Sequence, residues 1–246
     1  MRSTRPGSDT CCEWETDVVF PIMGTEGRIQ AQGPEDAVEE AVHAAIHEAV
    51  RLEGLWSRYS PVSEISIINA GATWLTASPE TSALLREAAL WRSITGGAFD
   101  IEYAGGIDLG GIGKGAAVDH MCGILRERGV RRAIVNLGTS STGFVGEPPH
   151  PDGWHVGLRS PLDGSILRTL AVRGAVSTSG TGEQGGHVID PRDGSRVEGL
   201  KSVTVVSQDG VAAEALSTAL LVLGREAVPW LRERFCGFSA YFVEPK

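Results

Sequence analysis

The sequence has few basic residues and no cluster of them. Its 22 lysines and arginines stand against 31 aspartates and glutamates, which gives a formal net charge of -9. Binding a nucleic-acid backbone needs clustered Lys and Arg side chains that neutralise its phosphates. The charge balance therefore argues against an extended nucleic-acid surface, and we expect no nucleic-acid partner.

Cysteine is scarce, and no apolar leader is readable. The sequence contains four cysteines, namely Cys11, Cys12, Cys122 and Cys236. Their spacing matches no metal-binding pattern, so free thiols are the simplest interpretation. Residues 1–16 carry charged side chains but no apolar segment of the kind found in secretory signals. We therefore predict a cytoplasmic protein without a membrane partner, whose residues 1–16 form a polar tail that is a candidate for disorder.

Three familiar catalytic motifs are missing. The sequence has no G-x-S-x-G nucleophile elbow. His43 and His47 are four residues apart, but a zinc protease would need Glu at the position of Ala44. A Walker A loop needs Ser or Thr after its lysine, whereas Lys114 is followed by Gly115. The sequence therefore supports none of these three kinds of site.

The remaining pattern is that of a mixed α and β protein. A hydrophobic content of 41% is enough to bury a full core. Apolar residues at helical spacing predict helices at residues 36–55, from Pro79, at 116–128 and at 211–223. Alternating or apolar runs predict strands at residues 132–137, 154–159, 170–177, 187–190, 202–207 and 238–243. Because many strands lie too close together for helical crossovers, we expect an α+β fold with largely antiparallel sheets and packed helices, in a single domain of two lobes over residues 17–246.

The last long predicted helix carries two oxygen-bearing side chains on one face. Glu214 and Thr218 are four residues apart, so their side chains project in the same direction. A carboxylate and a hydroxyl suit Mg²⁺, which takes few ligands from protein and the rest from water and substrate phosphate. The alternative is an exposed Glu beside a Thr that bonds back to its own helix.

A glycine-rich loop at residues 108–115 precedes the third predicted helix. Its four glycines allow backbone N–H groups to approach a ligand, and Lys114 adds a positive charge. Residues 111–116 also match the G-x-G-x-x-A pattern of dinucleotide folds, but residues 103–109 are too short and glycine-rich for the buried strand that should precede it. A glycine turn that leads into a helix is an equally supported interpretation.

Two further segments carry groups that could act on a ligand. His187 begins an apolar run, where its imidazole could serve as a general base near neutral pH or form a hydrogen bond within the core. Residues 177–182 read as a hydroxyl-rich turn that could line a polar ligand or cap a strand. Together with the loop and the helix, these segments suggest chemistry on a phosphate.

In this order the motifs resemble those of the ApbE family, the FAD:protein FMN transferases. The resemblance covers most of the chain and rests on short pieces at residues 23–25, 57–66, 95–100, 108–115, 136–138, 178–180, 187–194 and 213–220. It implies a Mg²⁺-dependent reaction in which FAD is the substrate. FMN is transferred to a Thr or Ser hydroxyl of an acceptor protein, and AMP is released.

The resemblance also implies roles for particular residues. The residues implied to contact FAD are Met23, Tyr59, Ala98, Phe99, Asp100, Asp108, Lys114, Thr178, Ser179 and Gly180. The residues implied to hold the metal are Gly111 through its carbonyl, Glu214, Ser217 and Thr218. His187 is the implied base that deprotonates the acceptor hydroxyl. These roles agree with what cleavage of a pyrophosphate requires: charge neutralisation, an oriented nucleophile and a base.

The sequence departs from the family pattern in two places. The family has a few dozen residues between the Phe-Asp motif and the glycine-rich loop, whereas here seven residues join Asp100 to Asp108. We therefore expect part of the FAD pocket wall to be missing. Glu214 stands where the family typically has Asp, and its extra methylene moves the carboxylate by about one ångström.

These departures leave three hypotheses about function. The first is a flavin transferase with a trimmed pocket. The second is a related enzyme that uses the same groups on another nucleotide or acceptor, or only hydrolyses FAD to FMN and AMP. The third is a non-catalytic flavin-binding or partner-binding relative. Retention of His187, Lys114 and Thr218 favours an enzyme, because a binding module has no need of a base beside a metal.

Overall fold

The structure is a computed structural model that describes residues 16–103, 105–181, 188–197 and 202–243. Its strands are β1 (Thr16–Ile22), β2 (Thr25–Gln32), β3 (Glu102–Tyr103), β4 (Gly106–Ile107), β5 (Arg132–Leu137), β6 (Ser141–Val145), β7 (Trp154–Arg159), β8 (Ile166–Val172), β9 (Ala175–Gly180), β10 (Ser202–Ser207) and β11 (Ser239–Val243). Its α-helices are α1 (Glu35–Trp56), α2 (Glu64–Asn69), α3 (Pro79–Ile94), α4 (Gly113–Glu127), α5 (Gly210–Leu223) and α6 (Val228–Arg234). None of the helices in these ranges is long and apolar enough to cross a membrane.

Seven of the strands form one sheet in the order β1-β2-β5-β6-β9-β10-β11. Every neighbouring pair in it is antiparallel. This arrangement confirms the expectation of an α+β fold with largely antiparallel strands. The predicted tail at residues 1–16 lies outside the described residues apart from Thr16, so its disorder stays a prediction.

The two faces of the sheet are covered differently. Helices α4 and α5 pack on one face, against β5, β6, β9 and β10, and α1 packs on α4. The main hydrophobic core lies between these helices and the sheet, with Leu125, Val135, Val205 and Leu216 fully buried. The β7–β8 hairpin covers the other face and forms a smaller apolar cluster around Trp154.

The hairpin between β1 and β2 turns on an unusual residue. Met23 and Gly24 connect the two strands with φ angles of 48° and 69°. Two-residue hairpin loops commonly have positive φ at both positions, but a long side chain is uncommon there. The turn therefore holds the Met23 side chain in a strained backbone conformation, which often marks a functional position.

The four predicted helices agree closely with observed ones, except that one of them begins earlier than predicted. Pro79 begins α3, as the sequence predicted, and the Ser78 side chain caps this helix by accepting a hydrogen bond from the Thr81 N–H. Helix α4 begins at Gly113 rather than Ala116, because residues 113–115 continue directly into its first turn. Three of the eight residues of the predicted glycine-rich loop therefore belong to the N-terminus of a helix.

The prediction of a single strand at residues 170–177 is wrong. The chain reverses between Val172 and Ala175, so β8 belongs to the hairpin and β9 to the main sheet. Gly174 makes this reversal possible, because a Cβ on it would lie 2.0 Å from the Ser207 carbonyl oxygen. The close contact is with a strand distant in sequence, so local alternation of side chains could not reveal it.

The short connection from Asp100 to Asp108 folds as the small β3–β4 hairpin. Its second strand is held by Asn69 of α2, which donates to the Ile107 carbonyl at 2.9 Å and accepts from the Ile107 N–H at 2.7 Å. The Asp108 N–H closes the connection by donating to the Ile101 carbonyl at 2.8 Å. The shortened segment is thus anchored at both ends, while the loss of a pocket wall stays a prediction.

Candidate active site at the crossing of α4 and α5

Helices α4 and α5 touch through their backbones near their N-termini. A Cβ added to Gly115 would lie 2.3 Å from the Gly210 carbonyl oxygen, and one added to Gly210 would lie 2.5 Å from the Gly115 carbonyl oxygen. Real side chains cannot approach so closely, so both positions require glycine. The contact brings the side chains around these glycines into one place.

Each helix N-terminus is bound by a carboxylate from the other helix. Glu214 of α5 accepts from the Gly115 N–H at 2.5 Å. Asp119 of α4 accepts from the Gly210 N–H at 2.8 Å and from the Val211 N–H at 3.1 Å. The first N–H groups of a helix lack partners within it and carry partial positive charge. The two carboxylates therefore fix the position of α4 relative to α5.

Glu214 is a buried carboxylate surrounded by polar partners. Only 3% of the residue is exposed. Its Oε1 lies 3.2 Å from the Lys114 ammonium and accepts from the Ser141 hydroxyl at 3.3 Å. A buried charge is tolerated only when it is paired and hydrogen-bonded. Lys114 and Glu214, which lie far apart in sequence, thus form one charged pair.

The hydroxyl groups of α5 and β9 form a second cluster beside this pair. The Ser179 hydroxyl lies 2.8 Å from the Ser217 hydroxyl and 3.3 Å from the Thr218 hydroxyl. The Ser217 hydroxyl also donates to the Glu214 carbonyl at 3.0 Å, and Ser217 is fully buried. Ser217 therefore joins α5 to β9, whereas Thr218 faces the open side.

The prediction of a turn at residues 177–182 is wrong for its first four residues. Residues 177–180 lie in β9 and pair with β10, with Thr178 opposite Thr204. Side chains alternate along a strand, so Ser177 and Ser179 point toward α5. The Thr178 hydroxyl lies instead 2.8 Å from the Thr204 hydroxyl. Pairing with β10 stabilises an extended conformation that the hydroxyl-rich sequence concealed.

Two adjoining cavities open around these groups. The inner cavity, of about 190 Å³, is lined by residues that include Gly111, Lys114, Ser179, Gly180, Glu214 and Thr218. The outer cavity, of about 580 Å³, is lined by residues that include Met23, Trp56, Arg58, Tyr59, Asp108 and Leu109. Gly110 and Lys114 line both cavities. Most of the predicted site residues that the structure describes therefore meet along one continuous cleft.

The wall of the outer cavity contains an ion pair that sequence reasoning missed. The Arg58 guanidinium lies 2.6 Å from the Asp108 carboxylate, whose other oxygen accepts from the Gly110 N–H at 2.9 Å. The hydrogen bond to Asp108 raises the pKa of Arg58 above its ordinary value. Tyr59 beside it is 89% exposed. Arg58 lies within the motif at residues 57–66, and this position was the feature of the sequence that could have pointed to a role in the site.

Three residues predicted to contact FAD line neither cavity. Ala98 and Phe99 are buried, and Phe99 lies 3.4 Å from where a Cβ on Gly111 would stand. The Asp100 carboxylate accepts from Arg92 at 2.6 Å and from the Glu102 N–H at 2.9 Å. In the described chain these residues support the glycine-rich loop and the β3–β4 hairpin from behind rather than facing the cleft.

The predicted base, His187, lies outside the described residues. Its neighbour Val188 lines the inner cavity, and the Val188 carbonyl accepts from the Val197 N–H at 2.8 Å. A turn follows, in which the Gly194 N–H donates to the Asp190 carbonyl at 2.9 Å. The predicted strand at residues 187–190 is reduced, in the part described, to one bridge between Ile189 and Arg196.

Comparison with known proteins identifies the family of this chain. The model of the ApbE family matches residues 23–106 and 102–242. This chain belongs to the ApbE family. The matched residues include the β1–β2 turn, the glycine-rich loop, β9 and α5, which are the elements that surround the cleft.

Curated ApbE relatives match part of their own length. The FAD:protein FMN transferase of Escherichia coli K12 is 34% identical over 151 residues, which cover 56% of this chain and 42% of that protein. The protein of the same name from Rhodobacter capsulatus is 36% identical over 135 residues, covering 50% of this chain and 25% of that protein. The aligned part thus spans less than half of each of these relatives.

Solved ApbE structures share the fold over nearly the whole chain. The ApbE protein of Thermotoga maritima has a TM-score of 0.83 at 22% identity and covers 94% of both chains. The flavin transferase ApbE of Vibrio cholerae has a TM-score of 0.75 at 21% identity, covering 92% of this chain and 96% of that one. At such identities the likeness concerns the fold.

The donor groups of the inner cavity fit the divalent metal expected for an ApbE protein. Mg²⁺ prefers oxygen ligands and takes only one or two carboxylates from protein. Glu214 supplies a carboxylate and Thr218 a hydroxyl, and Gly111 lines the same cavity. No group of three or more His, Cys, Asp or Glu gathers in the described residues. A metal here would therefore depend on hydroxyl, carbonyl and substrate phosphate oxygens.

Asp119 is the second titratable group at the helix crossing. Burial raises the pKa of its carboxyl to about 6, against the opposing effect of the Gly210 and Val211 N–H groups. The carboxylates of Asp209 and Glu87 face it and raise the pKa further. Asp119 lies four residues after Gly115, on the same helix face, so helical spacing could have pointed to it.

We expect Asp119→Asn to change how stability depends on pH. Because folding raises the pKa of Asp119 from 3.8 to about 6, the folded state binds the proton more tightly, and the free energy of unfolding falls as pH rises through this window. Asn still accepts from the α5 N–H groups but cannot ionise. We expect urea unfolding at a series of pH values to show that the free energy of unfolding of the variant rises relative to that of the wild type as pH rises. If the free energies of unfolding of the two proteins change in parallel with pH, the raised pKa of Asp119 is contradicted.

Proposed function

We propose that this chain transfers FMN from FAD to a Thr or Ser hydroxyl of an acceptor protein and releases AMP. The name of its curated relatives, FAD:protein FMN transferase, supports the reaction. The observation that carries the proposal is the Lys114 and Glu214 pair, which lies where a small polar cavity joins a larger one. Such a cleft suits a substrate with a large flavin end and a charged pyrophosphate.

In this proposal the two cavities bind different parts of FAD. The flavin occupies the outer cavity between the Met23 turn, Tyr59 and Asp108. The pyrophosphate lies in the inner cavity, where the Lys114 ammonium offsets its negative charge. Ser179 and Gly180 of β9 border the same phosphate. The glycines of the loop at residues 108–115 allow the substrate to approach the backbone closely.

The proposed chemistry is an attack by a hydroxyl on a phosphorus atom. His187 takes the proton of the acceptor hydroxyl, and the oxygen forms a bond to the phosphorus of the FMN half. The bond from that phosphorus to the bridging oxygen breaks, and its electron pair leaves with AMP. Lys114 stabilises the negative charge that develops on the phosphoryl oxygens. The product is a phosphoester that links FMN to the acceptor.

Mg²⁺ is the metal that we propose for the inner cavity, held by Glu214, Thr218 and the Gly111 carbonyl. When bound, it would neutralise pyrophosphate charge and orient the phosphates. We place Ser217 behind these ligands, because its hydroxyl is engaged with Ser179 and the Glu214 carbonyl.

The proposal is tested by separating the products of one incubation. Purified protein is mixed with FAD and Mg²⁺, with and without a protein that carries an accessible Thr. We expect AMP release and protein-bound flavin when the acceptor is present. Absence of AMP under both conditions would contradict the proposal and favour a non-catalytic flavin-binding relative.

Lys114→Ala should weaken FAD binding by about 10- to 100-fold, because a charged hydrogen bond to phosphate contributes about 1.5 to 3 kcal/mol. Flavin fluorescence during titration measures the affinity. Arg126→Ala is the matched control, since Arg126 is an exposed cation on the same helix that lines neither cavity of the cleft. Equal affinities for the wild type and Lys114→Ala would remove Lys114 from the site.

A second candidate function is hydrolysis of FAD or use of another nucleotide or acceptor. The short connection from Asp100 to Asp108 favours altered substrate use, because only seven residues are left to form that part of the pocket wall. If the chain hydrolyses FAD, the incubation described above yields free FMN and AMP whether or not an acceptor is added, and if it uses another nucleotide, the incubation yields neither.

A further inference from the structure

The sheet face under the β7–β8 hairpin changes from apolar to polar along its strands. At one end, Ile134, Phe144, Val176 and Val206 pack against the hairpin. At the other end, the side chains that line the same face are Asn136, Thr142, Thr178, Ser202 and Thr204. The hairpin packs directly on the apolar end, whereas a pocket separates the hairpin from the polar end.

A pocket of about 400 Å³, here called the hydroxyl pocket, lies over this polar end. Its opposite wall includes three apolar residues of the hairpin, namely Val156, Leu158 and Leu170. Thr139 and Gly164 lie at exposed positions around it. Pockets that bind small ligands occupy about 300 to 1,000 Å³, so the volume is sufficient for a few small residues of a peptide.

The floor of the hydroxyl pocket has unused hydrogen-bonding capacity. Ser202 is 4% exposed, and its hydroxyl has no hydrogen-bond partner among the described residues. The Thr142 hydroxyl donates to the Asn136 side-chain oxygen Oδ1 at 2.7 Å, which leaves the Asn136 side-chain NH₂ group as a donor. A buried polar group without a partner costs free energy. Among the described residues, Trp91 and Ser207 also have such a group, but of these three Ser202 is the one that lines the hydroxyl pocket.

The hydroxyl pocket adjoins the inner cavity. Ser140, Thr178 and Gly180 line both of them, at the end of β9 and the beginning of β6. A molecule in the hydroxyl pocket would therefore lie next to the groups that face the pyrophosphate. It would reach them from a direction different from that of the outer cavity.

We propose that the hydroxyl pocket binds the acceptor's Ser- or Thr-bearing segment in an extended conformation. This inference rests on the function proposed above. Peptide N–H, carbonyl and hydroxyl groups match a floor of neutral donors and acceptors. Arg159 is the charged residue in the described lining, and its guanidinium donates to the Gly164 carbonyl at 3.1 Å. A phosphate-bearing ligand would instead favour the cationic side of the inner cavity at Lys114.

The test uses a pool of short peptides that each contain one Ser or Thr with varied neighbours. Two quantities are measured on the full chain: retention of the peptides in equilibrium dialysis, and FAD affinity by flavin fluorescence. Ser202→Ala removes the unpartnered hydroxyl without breaking an internal hydrogen bond. We expect this variant to weaken peptide retention by about 3- to 10-fold and to leave FAD affinity unchanged.

Ser207→Ala is the matched control. Ser207 lies on the same strand, and its buried hydroxyl also has no partner among the described residues, but it does not line the pocket. Loss of FAD affinity with unchanged peptide retention would overturn the proposal and assign the pocket to the adenosine half of FAD. Unchanged values for both would also overturn it. If the wild type retains peptides but transfers no flavin, the proposed function fails and the pocket assignment stands.

Discussion

Replacing Glu214 with Gln should abolish FMN transfer, whereas replacing it with Asp should preserve or raise it. Gln has the shape of Glu and can still accept from the Gly115 N–H, but it loses the charge that faces Lys114 and a divalent cation. Asp keeps the charge on a shorter arm. Transfer rates for the three proteins across a Mg²⁺ titration make the comparison.

The affinity for Mg²⁺ should be modest and should depend on bound nucleotide, because the protein supplies few ligands. Thermal unfolding of each variant separates lost chemistry from lost folding, since Glu214 is buried and also joins α4 to α5. If the Gln variant behaves like the wild type, Glu214 holds no metal. The hypothesis of a non-catalytic relative would then become the leading one.

His187→Ala should slow transfer by a factor of about 10² to 10⁴ while FAD affinity stays the same. A general base acts on the acceptor proton during the reaction and contributes little to binding the nucleotide. Single-turnover rates and flavin titrations measure the two quantities separately. A fall in both, or in neither, would show that His187 has a structural role.

Local patterns predicted those elements whose ends are marked in the sequence. The helix observed at Glu35–Trp56 was expected at residues 36–55, and α5 ends at Leu223 as expected, followed by Gly224 with a φ of 78°. The strands at Arg132–Leu137 and Ser202–Ser207 have the expected bounds. Helical periodicity and capping residues act within a few positions, so these signals are readable from the chain alone.

Other features depend on contacts between distant segments and were missed. The reversal at Gly174 relies on the Ser207 backbone, and the strand at residues 177–180 relies on pairing with β10. Asp100 was expected to contact FAD, yet it pairs with Arg92 away from the cleft. Spacing in the sequence gives the residue types near a site but not the direction that each side chain takes.

The residues predicted to hold a metal combine features that local patterns predict with features that depend on distant contacts. Glu214 and Thr218 were expected on one face of a helix, and both line the inner cavity. Their pairing with Lys114 and Ser179 comes from the crossing of α4 and α5 and from the register of β9, neither of which is visible in spacing. Their roles as ligands stay a prediction.

The most direct test of the transferase proposal is the molar ratio of AMP released to FMN bound covalently to the acceptor. Mass spectrometry of the acceptor counts FMN phosphoesters, and chromatography of the same sample counts AMP. Transfer predicts one AMP for each FMN on the acceptor, and none of either when the acceptor Thr is replaced by Val. AMP accompanied by free FMN, with an unmodified acceptor, would contradict transfer and identify the chain as an FAD hydrolase.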